Sequence, residues 1–218
     1  MRRLVLVILA LPVFAFAAEL EGQIKLVVDG KPLRAEEATD AVVYFRPAEV
    51  PTTGFPVVEY TMSTKDKQFE PHILPILVGN TVRFPNEDTI LHNAFSSSRG
   101  NTFDVGLYTE GEGKTVTFSK PGYVRVYCNV HHAMIGHLLV LDTPYFTRPD
   151  KNGHFKLEGL PEQAGDLVVW HDRSKPWHVK TTPGEAAAYE ITLDLNLRRI
   201  SPHKNKFGKP YGNKNAGY

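Results

Sequence analysis

From Tyr123 to Cys128 the residues alternate strictly, Val124, Val126 and Cys128 on one side and Tyr123, Arg125 and Tyr127 on the other. That period of two is a strand lying on a core, with the thiol pointing where the valines point. The chain turns apolar again at Ile135 and from Leu138 to Leu141, which predicts the next strand. The short loop between them, Cys128-Asn129-Val130-His131-His132-Ala133-Met134, carries the one cysteine of the chain, followed by a histidine and a methionine at intervals of three. Two buried strands thus present a thiol, an imidazole and a thioether on one loop.

Thiolate and thioether are soft ligands that suit Cu(I), and imidazole suits both copper oxidation states. Two histidines and a cysteine with a weak axial methionine make an electron-transfer copper site. The loop is short of one histidine, and the best candidate elsewhere is His92 in Asp88-Thr89-Ile90-Leu91-His92-Asn93-Ala94-Phe95. Three other readings compete. Cys128 could be a small buried hydrophobe. Zinc could take Cys128, His131 and His132, but structural zinc sites close with four Cys or His ligands, and Met134 would then have no purpose. A Cys–His nucleophile needs an orienting partner and an oxyanion site, and the sequence supplies neither. One copper ion held by His92, Cys128, His131 and Met134 uses every residue of the set.

In these segments the chain resembles the cupredoxins, the blue-copper proteins. The resemblance is carried by Gly79-Asn80-Thr81-Val82-Arg83-Phe84-Pro85-Asn86, by His92-Asn93, by Pro121-Gly122-Tyr123 and by the Cys-x-x-His-x-x-Met loop. The loop spacing is similar to that of amicyanin. From about Leu20 to Trp170 the chain also resembles periplasmic methylamine-utilisation-like proteins. The resemblance implies a Greek-key β-sandwich, one-electron transfer, His131 as the ligand nearest the surface, and a rim for docking that includes Ala133 and Ile135. It also implies that Asn93 pins the two ligand loops together and that its backbone amide donates to the thiolate. A redox partner follows, such as a c-type cytochrome, an oxidase or a dehydrogenase. The alternatives are a copper carrier or store, and an accessory copper-binding subunit of a periplasmic oxidoreductase. With neither an open ligand position nor a general acid–base pair evident, an enzyme is not expected.

The remainder reads as all-β. Strand-like Gln23 to Val28 leads through Asp29-Gly30-Lys31-Pro32 to Ala41–Phe45. Further strands are expected at Ile73–Val78, Thr81–Phe84, Asn101–Tyr108 and Lys114–Ser119, with a polar stretch from Met62 to Phe69 and weak helical hints at Glu36–Ala38 and Gly184–Ala188. Asp150-Lys151-Asn152-Gly153 is a turn into a strand at His154–Leu157, and Leu167–Trp170 is another. These later strands and those of 18–61 resemble the two halves of a carboxypeptidase-regulatory or transthyretin-like module. The expected organisation is 18–61 and 143–196 as those halves, with a cupredoxin domain over 62–142 between them; the simpler alternative has the early strands extend the cupredoxin.

Arg2-Arg3, the apolar run Leu4 to Phe16 and the small-x-small pattern Ala15-Phe16-Ala17 predict a signal peptide over 1–17 and a periplasmic protein. No cysteine follows that run, which excludes a lipoprotein anchor, and one cysteine allows no internal disulfide. The net charge of +1 hides an asymmetry: the segment 197–218 carries six basic residues and no acid, so it is read as a basic, flexible tail over an acidic body. Nucleic acid is not an expected partner. Among the other histidines, His132 is expected at the surface and His137 in a structural or surface role. His72, and the pairs Trp170-His171 and Trp177-His178, default to packing, with a second metal site as the alternative.

Overall fold

The computed structural model describes residues 18–51, 55–185, 188–196 and 203–211. The expected signal peptide lies outside the described residues, as do parts of the tail. Among the described residues, eighteen strands follow one another. The first three are β1 (Ala18–Val28), β2 (Lys31–Pro32) and β3 (Val42–Pro47), with a 3-10 helix at Ala35–Asp40 before β3. Then come β4 (Glu59–Thr61), β5 (Ser63–Lys65), β6 (Gln68–Glu70), β7 (Ile73–Leu77), β8 (Thr81–Asn86) and β9 (His92–Ser96). Next are β10 (Phe103–Tyr108), β11 (Gly111–Thr117), β12 (Gly122–Tyr127) and β13 (Ile135–Leu141). The last five are β14 (Phe146–Thr147), β15 (His154–Leu160), β16 (Gly165–Trp170), β17 (Trp177–Thr181) and β18 (Tyr189–Asp194).

Four sheets pack as two sandwiches. Strands from the two ends of the chain make one. The sheet β15-β1-β18 carries β2 on β1 and faces the sheet β14-β3-β16-β17. Its core includes Ile24, Leu26, Phe45, Phe155, Leu167 and Ile191. The middle of the chain makes the other, from β10-β9-β12-β13-β7 and β11-β8-β5-β6 with β4 on β8. Its core includes Phe69, Phe84, Phe118, Val124, Val126 and Cys128. The pattern that places two valines and the thiol on one face of β12 is therefore seen as one shared core.

Turn chemistry fixes the registers. Asp29 and Gly30 take φ of 50° and 74°, both in the left-handed region a tight hairpin needs, so Val28 pairs with Lys31. The polar stretch Met62–Phe69 folds as the hairpin of β5 and β6. Its turn residues Asp66 and Lys67 adopt φ of 50° and 58° without a glycine to announce them.

Strand β13 is buried along its whole length. Leu138 and Val140 enter the core that holds Cys128, whereas Leu139 and Leu141 pack with Val42, Ile73 and Trp170 from the other direction. Alternate side chains of a strand serve opposite faces, and here both faces are covered, the outer one by residues of β3 and β16.

Candidate metal centre

Strands β9 and β12 are antiparallel neighbours, with Phe95 opposite Tyr127. The start of β9 and the end of β12 therefore meet at one end of the sheet. His92 opens β9, and Cys128 directly follows β12. The loop that leaves Cys128 closes on itself, with the Met134 N–H donating to the His131 carbonyl at 2.9 Å and the Cys128 N–H to the Met134 carbonyl at 3.4 Å. A compact turn thus returns Met134, which is buried with Cys128 in the same core.

Cys128 Sγ lies 3.8 Å from His92 Nδ1 and 3.8 Å from His131 Nδ1, and the two nitrogens are 3.2 Å apart. The centre of that triangle is about 2.1 Å from each corner, the length of a bond from a metal ion to imidazole nitrogen and slightly under that to thiolate sulfur. His92 and Cys128 are fully buried, and His131 is partly exposed. Soft sulfur with two imidazoles fits one copper ion. Met134 is buried three residues beyond His131, on the same loop.

Two side chains hold the ligands in place. His92 Nε2 is 2.7 Å from Asp88 Oδ2. A ring that donates from Nε2 to a carboxylate keeps its Nδ1 lone pair free for a metal. Asp88 is itself fixed by the N–H groups of Asp66 and Lys67 at 2.8 and 3.0 Å. Burial works to raise its pKa, and the bonds from Lys67, His92 and Asp66 overcome this and hold the carboxyl below its ordinary value. The His131 imidazole is pushed down, first by burial and then by His92 and Lys67, so its neutral, ligating form is favoured.

Asn93 is the second. Its Nδ2 donates to Asp104 Oδ1 and to the Gly106 carbonyl, both at 2.8 Å, and its Oδ1 accepts the Asn129 N–H at 3.3 Å. The link between the ligand segments therefore runs through the Asn93 side chain. Among the described residues its backbone amide makes no hydrogen bond to the sulfur, unlike the arrangement the resemblance implied.

The neighbouring residues divide. His132 is exposed. Ile135 is buried against Phe95 and Tyr127 and so forms no docking rim, because the face it occupies is already packed. Part of the basic tail lies here as well: the His203 ring stacks on Tyr127 at 4.1 Å, and Lys206 Nζ reaches Asp104 Oδ2 at 2.8 Å. Asp88 was missed in the sequence. An acid four residues before a candidate histidine was its signal, legible only once the loop before β9 is known to bend back.

No protein-family model matches the chain, and neither does any curated protein. Solved structures do. A purple cupredoxin from Nitrosopumilus maritimus is similar at 22% identity and TM-score 0.34, over 38% of this chain and 99% of that one. An amicyanin variant in its reduced state matches at 16% identity and TM-score 0.36, over 45% of this chain and 99% of that one. A copper-containing nitrite reductase from Thermus scotoductus matches at 28% identity and TM-score 0.37, over 53% of this chain but only 28% of that enzyme's. On its own two-sheet topology, with sulfur and imidazole donors gathered at one end, the unit from Glu59 to Leu141 is a cupredoxin-like β-sandwich.

Proposed function

We propose that this chain is a periplasmic, mononuclear copper protein that passes single electrons through His92, Cys128, His131 and Met134. The observation that carries the reading is the triangle of Sγ and two Nδ1 atoms, drawn from segments 36 residues apart and already at metal-binding separations. When bound there, copper supplies a one-electron couple between Cu(I) and Cu(II). The protein contributes rigidity. Cys128 sits at the end of a strand packed on both sides, and His92 is held by Asp88, so the ligands are kept near one geometry for both oxidation states.

His131 is the most exposed of the three close donors and serves as the port for the electron. Around it the apolar side chains of Ile90, Leu91, Leu107 and Val130 are 38, 47, 57 and 36% exposed. Ile90 and Leu91 immediately precede His92, Val130 immediately precedes His131, and Leu107 sits opposite Asn93. Such a rim suits brief docking of a redox protein, with Ala133, also exposed, at its edge. Export to the periplasm rests on the leader pattern of 1–17, and no described helix is long and apolar enough to cross a membrane.

The test is to load the purified mature protein with Cu(II), record optical and EPR spectra, and repeat with Cys128→Ser. An intense thiolate-to-copper band in the parent that vanishes in the variant is expected. A protein that holds copper only as colourless Cu(I) would instead be a carrier.

A further inference from the structure

A second group of donors lies where the two sandwiches meet, and the copper site uses none of it. His72 stands between β6 and β7, His137 lies on β13, and Asp172 follows β16. Asp172 Oδ2 is 3.5 Å from His72 Nε2 and 3.5 Å from His137 Nε2. The two rings meet edge to face with centroids 4.8 Å apart. Parallel pairing of β13 with β7 brings the histidines together, since His137 stands opposite Ile73 and its N–H donates to the His72 carbonyl at 2.8 Å.

These atoms are oriented without being satisfied. Both Nε2 atoms are buried and lack a hydrogen-bond partner, and the Asp172 oxygen at 3.5 Å from each stands beyond the usual hydrogen-bond length. The His137 side chain is 5% exposed and that of Asp172 4%, so solvent does not satisfy them. Buried polar atoms in native proteins are nearly always paired, with protein, water or an ion. The supports are in place. His137 Nδ1 is 2.6 Å from Tyr123 Oη, and that phenol oxygen also takes a hydrogen bond from Arg125 Nε at 3.1 Å. Metal-binding histidines use their second nitrogen in this way. Burial drives the His137 imidazole down to about 3, so it stays neutral and able to ligate. His72, 28% exposed at its side chain, forms the entrance, beside a small cavity lined also by Glu37 and Asp40.

We propose that His72 Nε2, His137 Nε2 and Asp172 Oδ2 form a second metal site, for a divalent ion of zinc type. Two imidazoles and a carboxylate with a position left for water match the ligands zinc takes, and the absence of sulfur separates the site from one suited to Cu(I). Because its ligands come from both sandwiches, the ion ties them together.

The site does not depend on the copper reading, so it is tested with the copper ligands removed. Full-length Cys128→Ser/His131→Gln, stripped of metal, is titrated with Zn(II) by calorimetry and checked by equilibrium dialysis. One zinc per chain is expected, with Tm raised by about 5 °C when free zinc exceeds Kd a hundredfold. Adding His72→Gln, a change at the partly exposed entrance, should weaken binding at least tenfold and abolish the Tm rise. The same change alone should leave the thiolate-to-copper band of the copper-loaded protein as it was. No zinc bound, or zinc bound as tightly after His72→Gln and after Asp172→Asn, would overturn the site and leave a trapped water bridging these atoms.

Discussion

Buried His92 and partly exposed Asp88 form a pair, Nε2 to Oδ2 at 2.7 Å, that turns the other ring nitrogen toward Cys128. The carboxylate acts through the ring rather than on a metal. Asp88→Asn should therefore keep the fold and the Cys128 absorption band but weaken copper binding roughly 10–100-fold. Competition against a chelator of known affinity measures this, and an unchanged affinity would remove Asp88 from the design.

Stability should fall on the acid side. In the metal-free protein the His137 imidazole is held down to about 3, by burial first and then by His72, against an ordinary value of 6.5. Between those values the unfolded chain binds the proton and the folded chain does not. The contribution is thus fully kept at pH 7 and is lost as pH drops below the unfolded value, by about 2–3 kcal/mol on reaching pH 4.5. Asp172, held well below the usual carboxylate range by its histidine neighbours against the opposing effect of burial, adds a loss of the same sign at still lower pH. Urea unfolding at pH 7 and 4.5 should show this slope in the parent and a shallower one in His137→Gln, with His131 contributing the same sign to what remains.

Gly136, directly after Ile135 on β13, has no room for a side chain. A Cβ there would lie 2.9 Å from Phe69 Cβ and 3.1 Å from Met62 Sδ. Gly136→Ala should destabilise the protein by about 1–3 kcal/mol through overpacking, read as a lower denaturation midpoint. A neutral outcome would mean that β6 yields more easily than its packing suggests.

The tail residues over Tyr127 make modest contacts. A chain ending at Asn196 loses the His203 stack and the partly exposed Lys206–Asp104 pair. Together they should be worth about 1–2 kcal/mol. None of the four proposed copper ligands lies there, so the absorption band should survive. If the shortened chain failed to bind copper, the tail would have to be part of the centre.

What the sequence disclosed was what short spacing controls. Alternation from Tyr123 to Cys128 and the intervals to His131 and Met134 were readable because one strand and one loop set them. His92 was readable because His-Asn stands ahead of a buried strand. Asp88 was hidden by a bend that no glycine or proline marks. Ile135 was misplaced at the rim because alternation tells which residues share a face, not whether that face is covered. His72, His137 and Asp172 come together through a parallel strand pairing and the meeting of two sandwiches, and no interval along the chain encodes either.

Strand β13 leaves the ligand loop with neither face open to water. Its outer leucines, Leu139 and Leu141, rest on Val42 and Trp170, from segments near opposite ends of the chain. Cutting the copper-bearing unit out as a small free-standing carrier would strip this lining and bare a greasy strip beside the strand that anchors Met134. The flanking sandwich is best regarded as the back wall of β13, and any minimal version would need polar replacements at those two positions.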